Sequence, residues 1–264
     1  MIMSKQLFIL GILSLLFTSC EKVVDIDLNE ADPQYVVEAN LYEGSNPFRV
    51  HVALTTDYYG REQQKQVSDA VVTLSDSAGA AVTVPSIGQG WYELPAFTAI
   101  SGKAYNLKVS VAGREFTASS AMPRVVAIDS ISSKWNEASG FISEGYEVAA
   151  WYKDPVGERN YYRIIRTEND TLRNEPFDLY LLDDKFNDGK PVKADFFNRY
   201  RKGEKIELEL LTMDAAVHEY FLTLQSVLSN QGGPAPANPL SNIKGGALGY
   251  FGAFTSRKMS IQLP

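Results

Sequence analysis

The chain has 264 residues, of which 45% are hydrophobic, and its formal net charge at pH 7 is −7. This negative charge disfavours nucleic acids and anionic lipid surfaces as partners, because both carry the same sign. With one cysteine and two histidines, the sequence supplies too few side chains for an internal disulfide, a thiolate metal site or a site built from several histidines.

Residues 1–20 have the pattern of a bacterial lipoprotein signal. Lys5 precedes an apolar run over residues 7–17, which is shorter than the roughly 20 residues that a membrane-spanning helix needs. The sequence FTSC at residues 17–20 resembles a lipobox, the site at which a signal peptidase cleaves before a cysteine. The alternative is an ordinary secretory signal with a chance cysteine, but the only cysteine falls at the cleavage position. We predict that residues 1–19 are a cleaved signal peptide and that Cys20 is lipidated.

The lipid on Cys20 is expected to hold the protein at a membrane surface through a tether formed by residues 20–33. Several acyl chains on one cysteine give stable anchoring. No later segment of the sequence is long and apolar enough to span a bilayer. We therefore expect the rest of the chain to lie outside the membrane.

Residues 34–123 are predicted to form a β-sandwich. Segments rich in Val, Tyr, Phe and Thr alternate in polarity, and no helical period interrupts them. Turn residues separate these segments at 44–47, 76–79 and 88–90. The spacing is typical of an antiparallel sandwich of immunoglobulin-like or transthyretin-like type. The predicted strands cover residues 34–42, 48–56, 70–75, 91–94, 104–111 and 114–120.

Residues 124–264 are predicted to form a second β-sandwich, of fibronectin-III-like type, that carries one helix. The helix spans residues 215–229, because apolar side chains recur there at helical spacing and Asp214 can serve as the N-cap. A Gly/Pro/Asn-rich segment at 230–238 ends it. The predicted fold class is thus mainly all-β, with two consecutive sandwich domains. The predicted strands cover residues 125–135, 146–152, 160–167, 177–183, 204–213, 247–255 and 258–263, and the last two are divided near Ser256.

Short motifs occur along the exported chain in a specific order. They are CEKVVD (20–25), YVVEA (35–39), DYY (57–59), AVVTLSD (70–76), DSI (129–131), NYYR (160–163), LDDKF (182–186), NPLSNI (238–243) and GYFGA (249–253). As an ordered set they resemble the Bacteroidetes lipoproteins of domain-of-unknown-function family 4249. The resemblance implies an outer-membrane lipoprotein whose gene often lies beside that of a TonB-dependent receptor. It implies no catalytic residues, because none are established for the family.

The sequence offers no catalytic constellation. The sequence has only two histidines, His51 on a predicted strand and His218 on the predicted helix, which gives little support for a histidine-based nucleophilic triad or a metal site with several histidines. Each is expected to be an ordinary surface or half-buried residue. No serine or acid stands in a nucleophile elbow, a zinc-binding helix or a phosphate loop. A glycosidase pair would require the fold to bring two acids together in a cleft. We predict no catalytic residue and no cofactor.

One acidic turn, at residues 183–189, invites a calcium interpretation. Asp184, Asp188 and Gly189 occupy the first, fifth and sixth places of an EF-hand loop. Phe186 at the third place contradicts this interpretation, as do flanking strands where an EF-hand has helices. A hairpin turn with solvated carboxylates explains the pattern better, and no metal site is predicted.

The candidate binding residues are Tyr58, Tyr59 and Trp91, which lie beside glycines at the ends of predicted strands. Aromatic residues in loops stack on sugars or anchor a protein partner. The alternative is that these side chains pack inward on the core. The aromatic segment YFGAF at 250–254 is also ambiguous. Gly252 can mark a bulge or a close approach of two backbones, so a structural role is the expectation there.

Three classes of function remain open. The first is a lipid-anchored binding or accessory protein of the cell envelope that works with a TonB-dependent receptor in nutrient uptake. The second is a structural or adhesive surface lipoprotein, and the third is an enzyme such as a glycoside hydrolase. The first is preferred because it agrees with the anchor, the two binding-type modules and the family resemblance, although function argued from a fold is analogy. The sequence does not identify the ligand.

Overall fold

The structure is a computed structural model that describes residues 32–56, 63–77, 79, 81–229 and 238–264. Within it, Pro33–Pro264 forms one compact unit. No helix in these ranges is long and apolar enough to cross a membrane. The described elements are β1 (Tyr35–Tyr42), β2 (Gly44–Leu54), β3 (Val71–Asp76), β4 (Val82–Val84), β5 (Ser86–Gly88), β6 (Trp91–Ala99), β7 (Ala104–Val111), β8 (Arg114–Ala121), β9 (Ile128–Asn136), β10 (Gly145–Lys153), β11 (Tyr161–Glu168), β12 (Thr171–Arg173), β13 (Tyr180–Asp183), β14 (Pro191–Tyr200), β15 (Lys205–Met213), the helix α1 (Ala215–Ser229) and β16 (Leu248–Gln262).

The strands form one long sheet and two smaller ones. The long sheet has nine strands in the order β12-β11-β15-β16-β1-β2-β6-β5, with β13 also paired to β11. The smaller sheets have the orders β4-β3-β7-β8 and β14-β10-β9. The predicted class, mainly all-β with sandwiched sheets and one helix, is confirmed.

The strand β16 determines how the layers are arranged. Residues 248–254 pair in parallel with β1, and residues 255–262 pair antiparallel with β15. Because side chains alternate along a strand, Phe251 packs in the core between the long sheet and β4-β3-β7-β8, while Ile261 packs in the core with β14-β10-β9. Tyr250 and Phe254 point to the opposite face, where α1 packs. The long sheet therefore carries both cores on one face and the helix on the other.

The N-terminal strands depart from the prediction at residues 44–47, and β6 extends beyond the predicted 91–94 to Ala99. Residues 44–47 begin β2 instead of forming the predicted turn. The pairing register shifts between Asn46 and Phe48, which is a bulge beside Pro47. A bulge suits this position because proline has no N–H to donate to the sheet. The strands β4 and β5 were not predicted, since three residues are too few to show alternation.

The C-terminal half differs from the prediction at four places. The strand β14 was missed, although Val192, Ala194 and Phe196 alternate into the core. The strand β16 runs without a break through Ser256, so the predicted division there is wrong. The predicted strand at 177–183 begins only at Tyr180, because a short 3₁₀ turn precedes it. The three-residue strand β12 was also not predicted.

The helix α1 has the predicted bounds and the predicted N-cap. The Val217 N–H donates to a carboxylate oxygen of Asp214 over 2.9 Å. The predicted boundary between residues 123 and 124 stays a prediction, and the structure shows that β16 pairs with strands on both sides of it. At that boundary the Arg124 carbonyl accepts hydrogen bonds from the hydroxyls of Thr212 and Thr255.

Candidate functional site

A row of four side chains crosses the face of the long sheet opposite the two cores. Tyr250 on β16 is in register with Glu38 on β1, Glu38 with His51 on β2, and His51 with Trp91 on β6. Residues in register on adjacent strands project from the same face with Cβ atoms about 5 Å apart. We call these four residues the aromatic–acid row.

Trp91 and His51 form a fixed pair at one end of the row. Their rings stack with centroids 4.5 Å apart and an angle of 30° between the planes. The His51 Nε2 lies 2.6 Å from the Gln66 Oε1, and the Gln66 amide nitrogen donates to the Gln64 carbonyl. The Gln66 oxygen therefore faces the histidine, so Nε2 is the nitrogen that carries the proton and donates. Trp91 nevertheless keeps 41% of its surface exposed.

The turn before Trp91 explains how this tryptophan is positioned. Gly90 has a φ of +76°, a backbone angle that residues with a side chain rarely adopt. A Cβ atom at this position would also lie 2.5 Å from the Val52 carbonyl oxygen. The Val52 N–H donates to the Gly90 carbonyl over 2.8 Å, and the Gly90 N–H donates to the Ser68 hydroxyl over 2.9 Å. The turn is thus held against β2, and Trp91 enters β6 beside His51.

Tyr250 ends the row on the side of α1. Its hydroxyl donates to the Asn40 side-chain oxygen over 2.9 Å, and its ring lies 4.7 Å from the ring of Tyr220 on the helix. Burial and, secondarily, the charge of Glu38 raise the pKa of Tyr220 to about 12. The same two causes raise the pKa of Tyr250. Both phenols are therefore neutral near pH 7.

Glu38 is exposed, and it has no ion pair or hydrogen bond among the residues that the structure describes. Two of its charged neighbours on this face are already matched. In the next row of the sheet, Arg49 pairs with Glu93. Glu43, where β1 turns into β2, pairs with Arg257 at 3.1 Å. The row thus presents one uncompensated carboxylate between aromatic side chains.

Of the candidates predicted from sequence, only Trp91 falls within the described residues. Cys20, Tyr58 and Tyr59 lie outside them. The structure brings Trp91 together with His51, which the sequence pattern treated as an unremarkable strand histidine. His218 was expected to be an ordinary surface or half-buried residue, but in α1 it keeps only 4% of its surface exposed.

Glu38 and Tyr250 were not singled out from the sequence. Alternation within β1 already assigns Glu38 to the face opposite Val37 and Ala39, which was the available signal. That Tyr250 is the neighbour of Glu38 in the sheet could not be predicted from the sequence. The two residues are more than two hundred positions apart, and the register of strand pairing is not a local property.

The acidic turn forms a second cluster, in which Asp154 joins Asp184 and Asp188. One carboxylate oxygen from each lies within 4.8 Å of the others. Asp154 accepts hydrogen bonds from the Tyr162 hydroxyl and from the Gly189 N–H. These contacts fix the turn against β10 and β11.

The other two acids of this cluster are also engaged. Asp184 accepts from the Asn160 N–H over 2.9 Å and pairs with Arg159 at 2.9 Å. Asp188 accepts from the Gly157 N–H over 2.7 Å. Phe186, at the place where an EF-hand has a ligand, is 77% exposed. The cluster therefore has a structural explanation that needs no ion.

Comparison with known proteins matches the chain to one family and to solved structures. The family described as "Domain of unknown function (DUF4249)" matches residues 21–260. A segment of two fibronectin type-III domains from chicken tenascin is similar over 70% of this chain and 93% of its own length, with 12% sequence identity and a TM-score of 0.22. No curated protein matches the chain.

Proposed function

We propose, on the premise that the chain belongs to the DUF4249 family, that it is a lipid-anchored binding or accessory protein of the Bacteroidetes outer membrane. In this proposal it works with a TonB-dependent receptor in nutrient uptake. The lipobox at residues 17–20 supports the anchor, and the order of motifs along the chain supports the envelope location and the receptor.

The aromatic–acid row is the observation that supports binding as the activity. Trp91 stays partly exposed while its ring is held against His51 on a long sheet, so little side-chain freedom remains to be lost on binding. Exposed, ordered aromatic side chains contribute much of the energy of protein interfaces. The row contains one carboxylate, whereas a glycoside hydrolase needs two opposed acids.

The anchor is tested by changing Cys20→Ser. This change removes the sulfur that would be acylated, so the protein should move from the membrane fraction to the soluble fraction and lose radiolabelled palmitate. Unchanged labelling in the variant would contradict the proposed lipidation.

The partner is tested by co-purification from detergent-solubilised outer membranes of the native organism, followed by mass spectrometry. Trp91→Ala should lower the recovery of the receptor severalfold without lowering the melting temperature by more than a few degrees. Trp135→Ala is the matched control, because Trp135 is also 41% exposed but lies on β9. Equal recovery by the two variants would argue against the row as the contact surface.

The other aromatic candidates are tested in the same way. Tyr58→Ala combined with Tyr59→Ala should weaken receptor recovery and leave the melting temperature nearly unchanged. A buried aromatic truncated to alanine costs about 3 to 5 kcal/mol of stability. Full recovery together with such a loss would show that the two tyrosines are structural.

A further inference from the structure

We propose that the aromatic–acid row receives an arginine or lysine side chain of the partner protein, with Glu38 as the counter-charge and the exposed ring of Trp91 on the same face. This inference rests on the proposed function, because it names the chemistry by which the binding surface recognises its partner.

The first argument is charge complementarity. Glu38 is exposed and unpaired among the described residues, whereas the nearby acids Glu43 and Glu93 each have an arginine partner. The chain as a whole is also acidic, with a formal net charge of −7. An anionic group would be repelled from this position, and a neutral group would leave the carboxylate uncompensated.

The second argument is the aromatic surroundings of the carboxylate. The faces of aromatic rings carry negative electrostatic potential and attract cations within about 6 Å of the ring centre. The ring of Tyr250 is already packed against Tyr220 and Phe221 of α1, so the exposed ring of the row is that of Trp91. Because adjacent strands lie about 5 Å apart, a long cationic side chain on Glu38 reaches toward Trp91, two strands away.

The third argument is the hydrogen-bonding state of His51. Its Nε2–H is engaged by Gln66, so in the neutral ring Nδ1 remains an acceptor. A row that offers both an acceptor nitrogen and a carboxylate suits a group with several N–H donors. Guanidinium and ammonium groups have such donors and no acceptors.

A protein is a better occupant than a free small amine because the row lies on an open sheet face. Small ligands bind in concave sites that bury most of their surface. A side chain that projects from a larger partner is held in place by the contacts around it, over the area of a protein interface.

The test uses the full-length protein and the co-purified partner from detergent-solubilised outer membranes. Glu38→Gln should lower partner recovery about tenfold, which corresponds to about 1.4 kcal/mol, and Glu38→Lys should abolish it. Glu144→Gln is the matched control, because Glu144 is an exposed acid just before β10, outside the row. Thermal melts of all three variants should stay close to that of the wild type.

A peptide measurement gives a second readout that does not need the partner. The full-length protein is immobilised through a C-terminal tag, and surface plasmon resonance is recorded with the peptide Gly-Arg-Gly-Arg-Gly. The control peptide carries citrulline in place of arginine, which keeps the shape and removes the charge. Binding of the arginine peptide should exceed that of the citrulline peptide and should fall in Glu38→Gln but not in Glu144→Gln.

The outcomes separate this inference from the proposed function. If the wild type recovers a receptor and Glu38→Lys recovers it equally well, the inference is overturned and the proposed function stands. If the wild type recovers no partner, the proposed function fails, and the peptide measurement decides the inference alone. Equal binding of the arginine and citrulline peptides then overturns it.

Discussion

The hydroxyl of Ser120 on β8 donates a 2.6 Å hydrogen bond to the carboxylate of Asp214, the residue that caps α1. The same hydroxyl accepts from the Ala253 N–H of β16, and the Ala121 N–H donates to the same Asp214 oxygen. One carboxylate thus joins the helix to a strand of the smaller N-terminal sheet, and through Ser120 to the strand that both cores share.

Two substitutions at Asp214 separate the cap from this link. Asp214→Ser keeps a capping oxygen but cannot reach both partners, so it should cost the energy of the link alone, about 1 to 3 kcal/mol for buried groups left unpaired. Asp214→Ala should cost about 1 kcal/mol more, because the cap is lost as well. Urea unfolding measures both values, and equal stabilities of the two variants would contradict the capping role.

Gly249 should tolerate no side chain. It has a φ of +93°, and a Cβ atom there would lie 2.1 Å from the Val37 carbonyl oxygen on β1. Gly113→Ala is the control, since Gly113 has a φ of +74° with open space around it and should cost only about 1 to 2 kcal/mol of backbone strain. Gly249→Ala should lower the free energy of unfolding well beyond the control. Similar losses of unfolding free energy in Gly249→Ala and Gly113→Ala would mean that β16 can move away from β1 at little cost.

A half-buried ion cluster at Arg166 should contribute strongly to stability. Its guanidinium lies 2.9 Å from Glu168 and 2.7 Å from Asp178, and all three side chains are less than 15% exposed. Arg166→Met would leave the poorly solvated Asp178 without a counter-charge and Glu168 with Arg173 alone, and it should cost about 3 to 5 kcal/mol. Lys108→Met, which breaks an exposed pair with Glu115, should cost less than about 1 kcal/mol. Chemical denaturation compares the two, and a cost for Arg166→Met as small as the control would refute the prediction.

His218 should make the protein less stable at mildly acid pH. Burial lowers the pKa of His218 below its ordinary 6.5, against the opposite influence of Asp183 and Glu219. Its Nε2 has no hydrogen-bond partner among the described residues. At pH values between the pKa of His218 in the folded protein and its pKa in the unfolded chain, His218 is protonated more in the unfolded chain. The free energy of unfolding therefore falls as the pH decreases through this range.

The variant His218→Gln isolates this effect. Urea unfolding at pH 7.5 and at pH 5.5 should show a larger loss for the wild type than for the variant, because carboxylates contribute equally to both proteins. A difference between the two proteins that does not change with pH would exclude His218 as the source.

Calorimetry with calcium should show no binding tighter than millimolar. The carboxylates of Asp154 and Asp184 already accept hydrogen bonds from Tyr162, Gly189 and Asn160, and Arg159 supplies the positive charge. A calcium ion needs six to eight oxygen ligands and would have to displace these partners. Micromolar binding that disappears in Asp184→Ala would show that the cluster is a metal site.

The local pattern predicted most elements because strands and helices have short periods. The helix at residues 215–229 and its cap at Asp214 follow from helical spacing and one capping residue, and both agree with the structure. The strand β14 was missed although Val192, Ala194 and Phe196 alternate with Lys193 and Asp195, which is the pattern of a half-buried strand. The break placed near Ser256 was wrong, because that side chain bonds to Glu209 on the neighbouring strand instead of turning the chain.

The candidate site was predictable only in part. Trp91 was identified from its position beside a glycine, which a local pattern reveals. Its neighbours were not, because the row is assembled by register across four strands. Asn40 and Tyr250, whose side chains bond beside the row, are 210 residues apart in sequence.

The shared strand β16 also constrains how the chain can fold. Because β16 fills the gap between β1 and β15, neither side of the long sheet can complete its hydrogen bonds until the last strand in sequence has docked. Contacts between residues so far apart in sequence slow folding. Until β16 docks, the unpaired edges of β1 and β15 can pair with other chains. A chain that lacks residues 248–262 should therefore aggregate instead of yielding two independently folded halves, and refolding of the whole chain should occur as one slow, cooperative step.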